Sequence, residues 1–138
     1  MRTTEPEAKL APNARALFEK PNLAFLATVN PKGKPQVTPV WVDVEGDVIV
    51  VNTARGRVKE RNIGHTPYVA ISVADKDNPY ATVSVVGPAE MDEAGADEHI
   101  DRLAKKYLGV ESYPLRREGE QRVKVYIYPK RIAAMGVD

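Results

Sequence analysis

The segment Asp47–Gly64, DVIVVNTARGRVKERNIG, joins an apolar run to a basic one, and the fold turns on how that junction is read. Val48, Ile49, Val50 and Val51 crowd β-branched side chains together, the composition of a buried strand. Asn52 and Thr53 follow, residue types that hydrogen-bond local backbone and favour strand ends and turns. Gly56 gives the backbone room to bend, and the run from Arg57 to Ile63 can form a short helix. Arg55, Arg57, Lys59 and Arg61 bring positive charge to the junction, with Glu60 the one acid among them. A strand that feeds a polar turn and then a helix presents free N–H groups and the positive end of the helix dipole. Basic side chains around that end suit a phosphate. On a helix Arg57 and Arg61 share a face; on an extended turn Arg55, Arg57 and Lys59 point the same way. A solvated basic face is the alternative reading of the same residues.

Upstream, Leu10, Ala14, Leu17 and Phe18 fall at helical spacing, which predicts a helix ending near Lys20 with Pro12 in its first turn. Leu23–Val29 reads as a buried strand, and Asn30–Pro35 (NPKGKP) as a hairpin turn. Gln36–Val44 alternates as one strand, with Val37, Pro39, Trp41 and Asp43 on one side and Thr38, Val40, Val42 and Val44 on the other. Pro39 cannot donate to a ladder, so this strand is expected at an edge or bulged. Glu45-Gly46-Asp47 closes a second hairpin.

Downstream, Tyr68–Ala74 and Tyr80–Met91 read as strands joined by the turn DKDNP, with a bulge or bend at Gly87-Pro88. The acids between Glu90 and Asp101 suit the start of a helix that buries Ile100, Leu103, Ala104 and Tyr107 and stops at Gly109. A charged loop, Leu108–Gln121, leads to closing strands near Arg122–Tyr128 and Arg131–Met135. Short hairpin-linked strands with a few covering helices predict a mainly β (α+β) fold, a small barrel that avoids open edges, in one domain spanning residues 1–138.

The 138 residues are 43% hydrophobic and 28% charged, an ordinary globular composition. Twenty basic and 19 acidic side chains leave a formal charge of +1, which argues against nucleic-acid binding. Without cysteine there is no disulfide framework, thiolate metal site or cysteine nucleophile. No apolar run approaches the ~18 residues of a membrane span, so the cytoplasm is the expected compartment. His65 and His99 stand far apart with no neighbouring ligand pattern, so no metal site is expected and both are read as surface residues. No nucleophile turn of the GxSxG kind occurs. A chain with no obvious acid, base or nucleophile of its own can use the reactivity of a bound cofactor.

The segments LAFLATVNPKGKPQVTPVWV, VVNTARGRVKERNI, YATVSVVGPAEM and KVYIYPKRIAAMG resemble the split β-barrel flavin and deazaflavin oxidoreductases. That superfamily contains the pyridoxamine phosphate oxidases and enzymes that use coenzyme F420. The resemblance runs from about Leu17 to Gly136 and is most specific over Thr53–Ile63, T-x-R-x-R-x-K-x-R-N-I. It implies a split β-barrel of about six to seven antiparallel strands. In the F420-using branch the matching Arg-x-Lys pair holds the cofactor phosphate, which gives that role to Arg57 and Lys59. Asn52, Thr53, Arg55 and Asn62 complete the expected set around them. The family lays the tricyclic ring against the second strand, here Thr38, Pro39, Val40 and Trp41. It also implies a homodimer with two cofactor sites at the interface, closed by the region matching Asn78, Pro79 and Tyr80.

The tail KVYIYPKRIAAMGVD lacks the Arg-x-His substrate clamp of the pyridoxamine phosphate oxidases, so the vitamin B6 reaction is not expected. Lys32 and Lys34, with Arg55 and Arg61, could extend a basic groove for the polyglutamate tail of F420. The resemblance thus implies an F420-dependent reductase passing a hydride to a small electron-poor acceptor, with Tyr80 a candidate proton donor. FMN in the same barrel is the alternative cofactor, and a non-catalytic cofactor-binding protein the alternative role.

Overall fold

Among the described residues, apolar stretches punctuated by Gly, Pro and Asn form eight strands, and three helices with one apolar face each cover them. The structure, a computed structural model, describes residues 4–137. In chain order the elements are α1 (Pro12–Glu19), β1 (Ala24–Val29), β2 (Pro35–Val40), β3 (Val42–Glu45), β4 (Val48–Ala54) and α2 (Val58–His65). They continue with β5 (Tyr68–Asp75), β6 (Asn78–Asp92), α3 (Ala96–Leu108), β7 (Arg122–Ile127) and β8 (Arg131–Met135).

All pairings are antiparallel, in the order β2-β1-β5-β6-β7-β4-β3, with β8 also on β6. β6 is the shared strand. Its first part pairs with β5 and β8, and its end, from Ala89, pairs with β7. Gly87-Pro88, where a bulge or bend was expected, lies where the partners change, and the pairing with β5 runs through it without a register shift. A Cβ at Gly87 would stand 1.9 Å from the Tyr128 carbonyl oxygen, so only glycine lets the two backbones pass this closely. The result is a split barrel, with eight strands in place of the six to seven expected. One core fills it, from Leu17 and Phe18 of α1 through Leu26, Val51, Ile63, Ile71 and Val83 to Val125 and Ile127.

The segment read as one strand over Gln36–Val44 is two. β2 ends at Val40 and pairs only with β1, while β3 starts at Val42 and pairs only with β4. These strands are the two ends of the sheet path, and Trp41 is the crossing between them. Alternation alone cannot reveal such a break, because the side chains keep their period while the hydrogen-bonding partner changes. Pro39 lies on a strand with a single partner, the edge setting its missing N–H required.

α3 braces the crossing. Lys106 Nζ donates to the carbonyls of Phe18 (2.6 Å) and Val42 (2.7 Å). The Tyr107 hydroxyl accepts from Val42 N–H at 3.1 Å and donates to the Asn22 carbonyl at 2.6 Å. Burial raises the Tyr107 pKa to about 12, so it stays a donor.

Candidate functional site

The bracing of Trp41 shapes one wall of a cavity of about 250 Å³. Pro39, Val40 and Trp41 enter it from the crossing, Asn52 from β4, Arg57 from just before α2, Lys59 from its first turn, and Arg122 from the head of β7. Ile100 and Leu103 of α3, with Leu23, Tyr113 and Leu115, make up the apolar remainder. Trp41 stacks on Tyr107 with ring centroids 5.4 Å apart and planes 7° apart, and meets Tyr113 edge-on at 6.0 Å. Such contacts hold the indole in one orientation at the rim.

The opposite wall is cationic. Arg57 does not belong to the helix but precedes it, in extended backbone at the N-cap. This directs its side chain differently from that of Arg61, whose guanidinium donates back to the Gly56 carbonyl at 2.5 Å. Lys59 is half-buried beside two guanidinium groups. Its pKa is lowered, first by loss of hydration and then by repulsion from Arg57 and Arg122. An anion entering the cavity would relieve that repulsion.

Arg122 is the most enclosed of these cations, with 3% of its side chain exposed. Its Nε donates to Asn52 Oδ1 at 2.8 Å, and its guanidinium lies 5.2 Å from the centre of the Tyr113 ring. Asn52 in turn donates to the Ala96 carbonyl at 2.9 Å and meets His99 Nδ1 at 3.0 Å. His99 is therefore no surface residue: it is 1% exposed on the inner face of α3, and burial lowers its pKa to about 3. As a neutral acceptor at Nδ1 it orients Asn52, and Asn52 orients Arg122. The acids on either side of it in sequence pointed to solvent, but helical periodicity turns His99 inward beside Ile100 and Leu103.

Six residues of the expected cofactor set line this cavity: Pro39, Val40, Trp41, Asn52, Arg57 and Lys59. The others lie elsewhere. Thr38 is on β2 with its hydroxyl enclosed and unpartnered, and Thr53 is buried in β4 in the same condition. Asn62 is buried and donates to Thr28 Oγ1 at 3.0 Å, which ties α2 to β1. Arg55 turns away to Glu93 (3.1 Å) and Glu60 (3.4 Å) and borders a second, shallower cavity with Gly56, Arg57, Arg117 and Glu120. Asn78, Pro79 and Tyr80 begin β6 and line neither cavity, and Tyr80 is 81% exposed. Arg122, Tyr113 and Leu115 were not foreseen. The one available signal was an arginine opening a strand, RVKVYI, that is apolar apart from Lys124.

Comparison with known proteins agrees with this architecture. A structure named F420 reductase superposes with a TM-score of 0.78 at 33% sequence identity, covering 86% of this chain and 94% of that one. A conserved hypothetical protein from Mycobacterium tuberculosis gives 0.70 at 24% identity, covering 96% and 89%. General stress protein 26 from Bacillus anthracis gives 0.68 at 22% identity, covering 89% and 91%. The last two show the fold alone. No curated protein sequence matches the chain. The family model described as pyridoxamine 5'-phosphate oxidase matches residues 10–135, nearly the full length. This chain is a member of the pyridoxamine 5'-phosphate oxidase family, built on its split barrel.

Proposed function

We propose that the protein is an F420-dependent reductase that delivers a hydride from reduced deazaflavin to a small, electron-poor organic acceptor. One observation carries this reading: a single cavity joins the apolar wall of Leu23, Pro39 and Trp41 to the cations Arg57, Lys59 and Arg122. A planar ring system with an anionic side chain needs both halves at once. The 33% identity to a protein named F420 reductase supports the deazaflavin over FMN.

The residues present fit such a group. Arg57 and Lys59 would hold its phosphate, with Arg122 behind them. Trp41, fixed by Tyr107 and Tyr113, would limit how the ring can tilt. β2 pairs on one side only, so main-chain groups on its free edge, interrupted at Pro39, would meet the polar edge of the ring. Bound there, a reduced deazaflavin supplies hydride and reacts poorly with oxygen, because carbon replaces the reactive nitrogen of a flavin. The chain contributes proximity, orientation and exclusion of water. Side-by-side titrations with F420 and FMN test the reading. Tighter binding of F420 is the expected result, and failure to bind either cofactor would overturn it.

The reading includes a homodimer. The outer face of β2-β1-β5-β6-β8 carries two adjacent rows of small and apolar residues across the strands. One is Pro39, Phe25, Ser72, Ser84 and Ala133; the next is Val37, Ala27, Ala70, Val86 and Arg131. Only Arg131 is charged. Phe25 and Val37 are exposed there, and a face with so little charge suits a second copy. Sedimentation of a monomer that binds cofactor at full affinity would contradict the dimer.

A further inference from the structure

Glu120 stands among the cations of the site, and the phosphate reading accounts for none of its contacts. Its side chain is only 8% exposed. Oε2 lies 3.4 Å from Arg57 Nη2, and Oε1 lies 3.2 Å from Arg122 Nη1. One carboxylate thus bridges the two guanidinium groups that border the cavity. Neither contact is well made. The first is at the long end of the hydrogen-bond range. In the second, both atoms are enclosed, yet neither has an aligned hydrogen-bond partner among the described residues. Enclosed charged atoms that approach without alignment are costly to keep, and they gain when a better-placed partner arrives.

The backbone places Glu120 at the end of a short turn. Its N–H donates to the Arg117 carbonyl at 3.2 Å, and Gly119 takes the positive φ of +78° that the turn requires. The next residue is pinned, because the Gln121 carbonyl accepts from Arg55 N–H at 2.9 Å. The turn itself lies in the irregular segment between α3 and β7, where residues 114–119 are exposed. A carboxylate on such a turn can be moved outward without disturbing a strand.

We propose that Glu120 is a resident counter-ion of the anion site, which a bound phosphate displaces from Arg57 and Arg122. It neutralises the guanidinium pair in the free protein and thereby sets an affinity threshold for the incoming anion. A carboxylate ligand would only replace one carboxylate by another. A phosphate brings more acceptor oxygens to the same two forks, so the exchange favours phosphate over carboxylate. The inference rests on Arg57 and Arg122 being the anion site.

The test uses inorganic phosphate as probe, with affinity read from the concentration dependence of the melting temperature at constant ionic strength, for the full chain. Glu120→Gln keeps the shape and removes the charge, and it should bind phosphate about tenfold more tightly than the wild type. Glu120→Asp retains the charge but withdraws it by one methylene, and should tighten binding by about threefold; it serves alone if the Gln variant does not fold. Acetate as a second probe should shift the melting temperature less than phosphate in the wild type. Unchanged or weaker phosphate binding in both variants would overturn the proposal, since a residue that merely positions the arginines weakens binding when altered. Arg57→Ala separates the two claims. If it weakens phosphate binding while the Glu120 variants do not tighten it, only the role of Glu120 falls. If it leaves phosphate affinity unchanged, the anion site itself falls, and the proposal with it.

Discussion

Arg55 and Arg61 flank Arg57 and Lys59 in one short stretch, and the two pairs do different work. Arg55 is held by the carboxylates of Glu60 and Glu93, and Arg61 by the Gly56 carbonyl, so both fasten the turn to the start of α2. Arg57 has one long contact, to Glu120, and Lys59 makes no ion pair among the described residues. Lys59 instead feels two neighbouring cations that lower its pKa. The difference teaches that basic residues mark a ligand site where their charge is loosely paired or repelled by neighbours, not where they are merely numerous.

The largest effect should come from the enclosed cation behind Arg57 and Lys59. Arg122→Ala strips an enclosed charge from Asn52 and Glu120 together, and loss of one partner of a buried pair costs about 3–5 kcal/mol. Chemical denaturation should show that loss, and a change under about 1 kcal/mol would mean that Arg122 is better hydrated than its burial suggests.

Next come Arg57→Ala and Lys59→Ala. Each removes a charge-assisted hydrogen bond of about 1.5–3 kcal/mol, so cofactor affinity should fall about tenfold or more with stability little changed. Full affinity in both variants would erase the distinction between the pairs.

The pH dependence follows from Lys59. Its folded pKa lies below the unfolded value of 10.5, so between the two the unfolded chain binds more protons. Charged Lys59 therefore opposes folding below its folded pKa, and that penalty disappears as pH rises through the window up to 10.5. Anion affinity moves the other way and should fall as the ammonium deprotonates, at a lower pH than for an ordinary lysine. A Lys59→Met variant should lose that alkaline step, and a step that persists would assign it to another group.

The smallest effects should belong to Arg55→Ala and Arg61→Ala. Exposed pairs contribute about 0–1 kcal/mol, and cofactor affinity should change less than about threefold. A tenfold loss in Arg55→Ala would extend the ligand along the second cavity, past Arg57.

Most elements were legible because they depend on local pattern. The β-branched run of β4, the 3.6-residue spacing in α1 and α3, and the turn residues of NPKGKP each act over a few neighbours. Where a pattern depends on a distant partner, the reading failed. Gln36–Val44 alternates without interruption, yet Trp41 divides it, because β1 and β4 claim its two halves. His99 sits among acids in sequence but packs inward against Asn52 of β4.

From the residues alone come the mainly β class, the edge character of Pro39 and the basic junction at Arg57 and Lys59. Local sterics, hydrogen bonding and charge suffice to decide those. Only the tertiary structure decides which of those charges are firmly paired and which are held loosely. Glu120 and Arg122 meet Arg57 across more than sixty positions of chain, and that encounter is set by how β7 pairs with β4. The pairing aligns Ala54 with Arg122 and so brings the head of β7 beside the turn that leads to α2. No short-range pattern encodes it, because the free energy that selects the register lies in the core packing of Val51, Val125 and Ile127.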